Sequence, residues 1–221
     1  MKKLIAALLA LALLLALCAC GRRAESASGE SAPEAELPPV STPVQHLFDN
    51  SGVEPQGTLL GSLDCMAEYR SVYSDVREVP DRGSAARRFY LYTDGLAMWN
   101  SFLVILQSTP EGHSPEDDEA YTEYAVIRAD HFGTGDGLKD AKMESDWSWE
   151  SFTRDLNGAL IELTVSRKGD KAELTYTATT AEGEIHTLSC RDIAIPADAP
   201  LYFCLSVEHA CLDLLEEETN E

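Results

Sequence analysis

Arg128 and Asp130 are the residues whose types and spacing are best suited to chemistry in this sequence. They lie two apart in the stretch YAVIRADHFGTGDG (124–137), so on a strand both side chains point to the same face of the sheet. Arginine offers a planar fork of hydrogen-bond donors and aspartate offers acceptors, which suits sugar hydroxyls or a carboxylated sugar. A salt bridge that braces the sheet explains the same pair equally well. We therefore predict either a ligand site or a structural ion pair on this strand.

The glycine-rich loop after this strand also contains residue types that suit calcium. Asp136 lies in GTGDGLKD (133–140), between Asp130 and Asp140, and carboxylate oxygens are ligands that Ca²⁺ prefers. The spacing matches no defined calcium-binding loop. Calcium held by Asp136 is therefore the one cofactor that the sequence suggests.

Common catalytic motifs do not occur in this sequence. It has no G-x-S-x-G nucleophile elbow, no H-E-x-x-H zinc helix and no phosphate-binding P-loop. The histidines are not spaced as metal ligands usually are. We therefore predict no catalytic residues and expect the protein not to be an enzyme.

Residues 1–20, MKKLIAALLALALLLALCAC, have the charged start and the apolar run of a secretory signal peptide. The end of this segment, LCAC (17–20), resembles a bacterial lipobox, in which the cysteine that follows a small residue is lipidated. Cys18 fits this pattern less well, because a leucine would then occupy the position of the small residue. We therefore predict a lipid on Cys20 and a protein anchored to the cell membrane on its extracytoplasmic face.

The composition divides the rest of the chain. Residues 21–56 are rich in Ala, Ser, Glu and Pro and cannot bury enough apolar surface to fold, so we predict a disordered tether. A folded domain is expected over 57–215 and an acidic tail over 216–221. The formal net charge of −21 repels nucleic acid, so we expect no nucleic-acid partner.

Hydrophobic residues alternate with polar residues over most of the domain, which predicts strands. The meander at 159–192 is the clearest example, because two Gly-containing turns separate three alternating segments. One segment, DWSWESFTRDLNG (146–158), has aromatic residues at helical spacing and predicts a short helix or turn across the end of the sandwich, where packing in the core is favoured over a ligand role. The predicted strands cover residues 58–64, 69–77, 86–93, 98–107, 122–130, 138–144, 159–167, 171–180, 184–192, 201–208 and 210–215.

Many short strands with a single helix indicate an all-β fold, an antiparallel β-sandwich or barrel. Four stretches then resemble, in order, a jelly-roll module that accompanies secreted bacterial glycoside hydrolases and surface lipoproteins and is similar to concanavalin A-like lectins. This resemblance covers about residues 57–213 and implies a carbohydrate-binding β-sandwich. The four stretches are YTDGLAMWNSFLVIL (92–106), TEYAVIRADHFGTGDG (122–137), DWSWESFTRDLNGALIELTV (146–165) and LYFCLSVE (201–208).

The resemblance also implies which residues contact the ligand. The module usually has an aromatic pair in an early strand, of which Tyr69 remains here, and a tryptophan in the glycine-rich loop, where this chain has Thr134. Tyr92 lies on one strand face and would either line a groove or cover the sheet. The ligand-binding candidates are Arg128, Asp130, Tyr92, Trp99, Asn100 and Tyr69.

Four cysteines remain after the predicted lipidation site, and an even number in an exported protein suggests disulfides. In a jelly roll the first and last strands are neighbours, which implies a Cys65–Cys211 pair. Adjacency of later strands implies a Cys190–Cys204 pair. The alternative is that some of these cysteines are free and buried.

Two hypotheses about function follow. The first is a non-catalytic surface lipoprotein whose sandwich binds a glycan at Arg128 and Asp130. The second is a structural or protein-interaction module of a surface complex, which the missing aromatic residues favour. A glycoside hydrolase fold without its paired catalytic carboxylates is a third interpretation.

Overall fold

Alternating apolar and polar residues form two antiparallel sheets in the computed structural model, which describes residues 57–66, 71–96, 98–111, 120–130 and 132–216. Those residues contain thirteen strands and one α-helix. The strands are β1 (Leu59–Asp64), β2 (Val72–Tyr73), β3 (Arg77–Glu78), β4 (Ser84–Thr93), β5 (Leu103–Gln107), β6 (Glu123–Arg128), β7 (Gly133–Thr134), β8 (Lys142–Ser145), β9 (Leu160–Lys168), β10 (Lys171–Thr179), β11 (Ile185–Ala194), β12 (Tyr202–Val207) and β13 (Ala210–Leu215), and the helix α1 is Trp149–Asp155.

The first sheet has seven strands in the order β1-β13-β4-β9-β10-β11-β8. The second follows the path β2-β12-β5-β6-β7, with β3 also paired to β12. Every pairing between these strands is antiparallel. Buried side chains from both sheets form one shared core. The predicted all-β antiparallel sandwich with one short helix is therefore confirmed.

The meander β9-β10-β11 shows why the sequence pattern was informative. In β10 the residues Ala172, Leu174, Tyr176 and Ala178 are buried, while the residues between them are partly exposed. Such alternation follows from the two-residue period of a strand with one face in the core. Gly169 lies in the turn between β9 and β10 with φ 65°, a conformation that glycine adopts without a steric penalty.

Aromatic side chains link the two sheets inside the core. Phe102, just before β5, packs edge-on against Phe89 of β4, with ring centroids 5.3 Å apart. The same Phe102 ring lies 5.6 Å from that of Tyr176 on β10, again edge-on. All three side chains are buried. Edge-to-face pairs of this kind stabilise a core beyond the burial of their area, by about 0.5–1.5 kcal/mol per pair.

Two predicted strands are shorter than expected. The apolar run predicted as a strand over 98–107 begins with a 3-10 turn, Met98–Asn100, and β5 starts at Leu103. Ser101 closes this turn, because its backbone N–H and its hydroxyl both donate to the Met98 carbonyl, at 3.3 and 2.8 Å. The strand predicted over 138–144 begins later, at Lys142, after a second 3-10 turn at Asp136–Leu138.

Several predictions concern residues outside those that the structure describes. They include the signal peptide at 1–20 with Cys20, the tether at 21–56, and Tyr69. Residues 217–221 of the acidic tail also lie outside.

The structure does not form the predicted Cys65–Cys211 disulfide, because both cysteines are buried and neither is bonded to another cysteine. Asp64 pairs with Cys211, and the Cys65 amide donates to the Ala210 carbonyl at 2.9 Å. Cys65 and Cys211 therefore occupy successive register positions, and successive residues face opposite sides of a sheet. Cys65 accordingly packs in the shared core, whereas Cys211 packs in a second cluster with Tyr90.

The predicted Cys190–Cys204 disulfide is wrong for a similar reason, since both residues are buried free thiols. Cys190 on β11 points into the shared core. On β12 the core residues are Phe203 and Leu205, so Cys204 between them faces the other side of its sheet. There the Cys204 thiol donates to Gln107 Oε1 at 3.7 Å.

Burial should make these thiols unreactive. It raises the pKa of Cys190 to about 11 and that of Cys204 to about 12, so little reactive thiolate forms at neutral pH. We expect iodoacetamide to leave both unmodified in the folded protein and to alkylate them in denaturant, as measured by peptide mass spectrometry. Rapid alkylation of the native chain, or an unreduced mass showing a disulfide, would contradict the structure.

Candidate ligand pocket

The Arg128–Asp130 pair is formed as a two-pronged ion pair at the end of β6. The Arg128 guanidinium donates from Nε to Asp130 Oδ1 at 2.8 Å and from Nη2 to Asp130 Oδ2. The Asp130 side chain is 5% exposed, whereas that of Arg128 is 36% exposed. Because Asp130 accepts these bonds, it raises the pKa of Arg128. Both carboxylate oxygens are thus held by a cation that itself still reaches solvent.

The turn after β6 fixes the position of this pair. Arg128 N–H donates to the Phe132 carbonyl at 2.7 Å, and Ala129 N–H donates to the Phe102 carbonyl at 3.1 Å. From the opposite sheet the buried Tyr176 hydroxyl donates to the Ala129 carbonyl. The turn also brings the Phe132 ring beneath the guanidinium, 5.5 Å from Arg128 Cζ, within the range of a cation–π contact.

The segment around helix α1 supplies an aromatic wall. Ser148 caps the helix, since its hydroxyl accepts from Ser151 N–H at 3.2 Å. Phe152 is buried and contacts both tryptophans, edge-on to Trp147 at 5.4 Å and stacked with Trp149 at 5.5 Å. Trp147 is buried, whereas Trp149 is 54% exposed. A short capped helix thus holds one tryptophan ring against the protein and another towards solvent.

A pocket of about 310 Å³ lies between this wall and the turn after β6. Its size is at the lower end of the range typical of small-molecule sites, which are mostly apolar with a few polar groups that orient the ligand. Phe132, which also lines the pocket, is 59% exposed. The residues lining the pocket are Ala129, Asp130, Phe132, Ser145, Trp147, Trp149, Phe152 and Tyr176.

Three polar side chains that line this pocket, those of Trp147, Asp130 and Tyr176, influence what it can bind. Trp147 is buried, and its indole Nε1 has no hydrogen-bond partner. A buried donor left unpaired is costly, by about 1–3 kcal/mol, so an acceptor on a bound molecule would be favoured there. Asp130 provides the carboxylate of the pocket wall. Burial, and then Asp130 and Asp146, raise the pKa of Tyr176, which keeps its hydroxyl a donor at neutral pH.

The predicted ligand residues are not all brought together. Tyr92 lies on β4 of the seven-stranded sheet, buried in the second cluster with Tyr90 and Cys211, and does not line the pocket. Of the two roles predicted for Tyr92, this position fits covering the sheet and not lining a groove. Trp99 is 39% exposed on the 3-10 turn and does not line the pocket. Asn100 donates to Glu208 Oε2 at 3.1 Å instead of lining the pocket.

Asp136 does not form a calcium site with other described residues. It is exposed at the start of the second 3-10 turn, and Asp130 is committed to Arg128. Among the positions described, the side chains that meet at metal-ligand distances are Asp155, Glu184 and His186. The glycines of this loop instead serve close packing, since a Cβ on Gly135 would lie 2.6 Å from the Tyr124 carbonyl oxygen.

Phe132, Trp147 and Trp149 are the pocket residues that the sequence analysis missed. The helical spacing of Trp149, Phe152 and Leu156 suggested packing, and Phe152 and Leu156 are indeed buried. The signal that was available is the pair Trp147 and Trp149, two residues apart around a helix start. Trp147 precedes the N-cap Ser148 and Trp149 follows it, so the chain changes conformation between the two rings and they face different ways.

Comparisons with known proteins bring no relative to this chain: no protein-family model, curated protein or solved structure matches it. Within the residues that the structure describes, no helix is long and apolar enough to cross a membrane.

Proposed function

We propose that this protein is a lipid-anchored, extracytoplasmic binding protein whose β-sandwich holds a glycan in the aromatic pocket without cleaving it. The observation that carries the proposal is that two exposed aromatic side chains, Trp149 and Phe132, line one pocket together with the buried carboxylate of Asp130. Aromatic faces with a few orienting polar groups are the composition expected for a small-ligand site. The aromatic rings of this pocket come from helix α1 and the turn after β6, in place of those missing at the expected positions.

The chemistry of the pocket favours binding over hydrolysis. Both oxygens of Asp130 accept hydrogen bonds from Arg128, which fixes the orientation of this carboxylate. Glycoside hydrolysis uses two carboxylates that can donate and accept a proton on either side of the bond. An acceptor on a sugar would pair with the Trp147 indole N–H, and a carboxylated sugar would also meet the exposed part of Arg128.

The test is a glycan-array screen of the full-length chain in nanodiscs, including neutral and uronic-acid oligosaccharides. We expect binding that Trp149→Ala weakens by at least about tenfold, the equivalent of about 1.4 kcal/mol. Trp99→Ala is the matched control, because Trp99 is also an exposed tryptophan but does not line the pocket. If the folded protein binds nothing on the array, the glycan-binding hypothesis is rejected and the structural or protein-interaction role is retained. Equal losses in both variants would place the site elsewhere.

The proposed anchor has its own test. We expect Cys20→Ala to move the protein from the membrane fraction to the soluble fraction of its cells, because the lipobox-like end of the signal would lose its acceptor cysteine. Cys18→Ala should leave the protein in the membrane fraction. Metabolic labelling with a fatty acid measures the lipid directly, and labelling that survives Cys20→Ala would refute this assignment.

A further inference from the structure

A second group of side chains lies beside the pocket, where helix α1 ends and β11 begins. Asp155 is the last residue of the helix, and Glu184 and His186 lie at the turn into β11. Each of the three offers a ligand atom, and these atoms all lie within 4.8 Å of one another. Neither the lipoprotein resemblance nor the glycan proposal uses these residues.

His186 is the part of this group that points to a ligand. Its ring stacks on Trp147, with centroids 4.6 Å apart and planes 6° apart, so its orientation is fixed. Its Nε2 atom is buried and has no hydrogen-bond partner. That nitrogen lies 3.9 Å from Glu184 Oε2, too far for a hydrogen bond but within the span that one ion bridges with bonds of about 2.1 Å.

A carboxylate also lies behind the other ring nitrogen of His186, at a distance longer than a hydrogen bond. Asp146 Oδ1 lies 3.7 Å from His186 Nδ1 and accepts from Thr187 N–H at 2.8 Å. A carboxylate behind the second nitrogen is the usual outer partner that orients such a ring. We propose that Asp155, Glu184 and His186 bind a zinc ion.

Zinc fits this donor set better than calcium or magnesium. One imidazole nitrogen and two carboxylate oxygens are common zinc ligands, whereas calcium and magnesium take oxygen ligands almost exclusively. A cavity of about 330 Å³ borders Asp155 and Glu184, so water can enter to complete a tetrahedral coordination. Glu182 also lines this cavity and adds negative charge without being one of the three ligands.

Arg154 competes with the metal for one ligand. Its Nε donates to Asp155 Oδ1 at 2.6 Å, and the pair lowers the pKa of Asp155. The Arg154 side chain is largely exposed, and an exposed ion pair of this kind contributes little to stability. A zinc ion therefore displaces it readily, and Arg154→Gln tightens zinc binding.

Isothermal titration of the metal-stripped full-length chain with zinc chloride tests the proposal. The expected result is one site that Glu184→Gln weakens by about 10–100-fold or more, the range seen when even an outer partner of a metal ligand is removed. Glu182→Gln is the control, because it removes the same charge from the same cavity wall but leaves the three ligands intact. Any zinc bound by cysteines near the N-terminus is the same in both variants, so the difference between their affinities reports the proposed site alone.

His186→Phe provides the second arm, since phenylalanine can keep the stack on Trp147 while removing both ring nitrogens. Its zinc affinity is expected to fall as far as that of Glu184→Gln, with far-UV circular dichroism unchanged. Equal affinity in the wild type, Glu184→Gln and Glu182→Gln overturns the proposal, and so does no uptake by the wild type at 100-fold excess zinc. If His186→Phe fails to fold, the two glutamate variants decide the question. Glycan binding is measured separately, so failure here leaves the proposed function untouched.

Discussion

Arg128→Met should destabilise the domain by about 3 kcal/mol, because it leaves the buried Asp130 carboxylate without the cation that holds both of its oxygens. The figure lies at the lower end for a broken buried pair, since Arg128 is partly exposed and water reaches this edge of the site. Urea denaturation monitored by circular dichroism measures the change in the free energy of unfolding.

Asp130→Asn is the matched variant of the same pair. The Arg128 guanidinium that it leaves behind can turn to solvent, so we expect a smaller loss of about 1 kcal/mol. The double variant should be less destabilised than Arg128→Met alone, because no buried charge remains unpaired. A loss below about 0.5 kcal/mol for Arg128→Met would contradict this account, because it would show that water satisfies the carboxylate without Arg128.

Arg167→Met should be the second strongly destabilising change, by about 2–3 kcal/mol. The Arg167 side chain is buried and donates to four backbone carbonyls, and a single hydrogen bond to a charged group contributes about 1.5–3 kcal/mol. Loss of the side chain would release both the turn after β9 and the loop before β12. The acceptors are the carbonyls of Gly169 at 2.9 Å, Ala199 at 2.5 Å, Pro196 at 3.3 Å and Ala197 at 3.1 Å.

Two variants distinguish the loss of these four hydrogen bonds from a general effect of charge. Lys168→Met removes the same charge from the next, exposed residue and should change stability by less than about 0.5 kcal/mol. Arg167→Lys keeps the charge but not the planar fork of donors, so an intermediate loss is expected. Thermal unfolding of the three variants under one set of conditions makes the comparison. Equal stability of Arg167→Met and Lys168→Met would contradict a stabilising role for the hydrogen bonds of Arg167.

The sequence predicted best where a local pattern determines the outcome. Alternation in β9, β10 and β11 places one face in the core, and the turns between these strands contain glycine. The helix was also recognisable from the spacing of its aromatic residues, and Ser148 caps it. These features depend on neighbours along the chain, which a sequence displays directly.

The pocket and the cysteines could not be predicted because they depend on register between distant strands. Whether Cys65 faces Cys211 is decided by a shift of one residue in the pairing of β1 with β13. In the same way, Phe132 and Trp149 share a pocket because helix α1 begins at the part of the sandwich where β6 ends. Neither relation is visible in the spacing of residues along the sequence.

The place of β1 in its sheet sets the order in which the domain can be completed. β1 is the first strand described and pairs within its sheet only with β13, the last one. A growing chain therefore carries β1 without its ladder partner until residue 215 has been synthesised. Because loop closure over that many residues precedes the pairing, this step should come late and slowly compared with the β9-β10-β11 meander. The domain is thus finished as a whole, after synthesis, rather than strand by strand as the chain emerges.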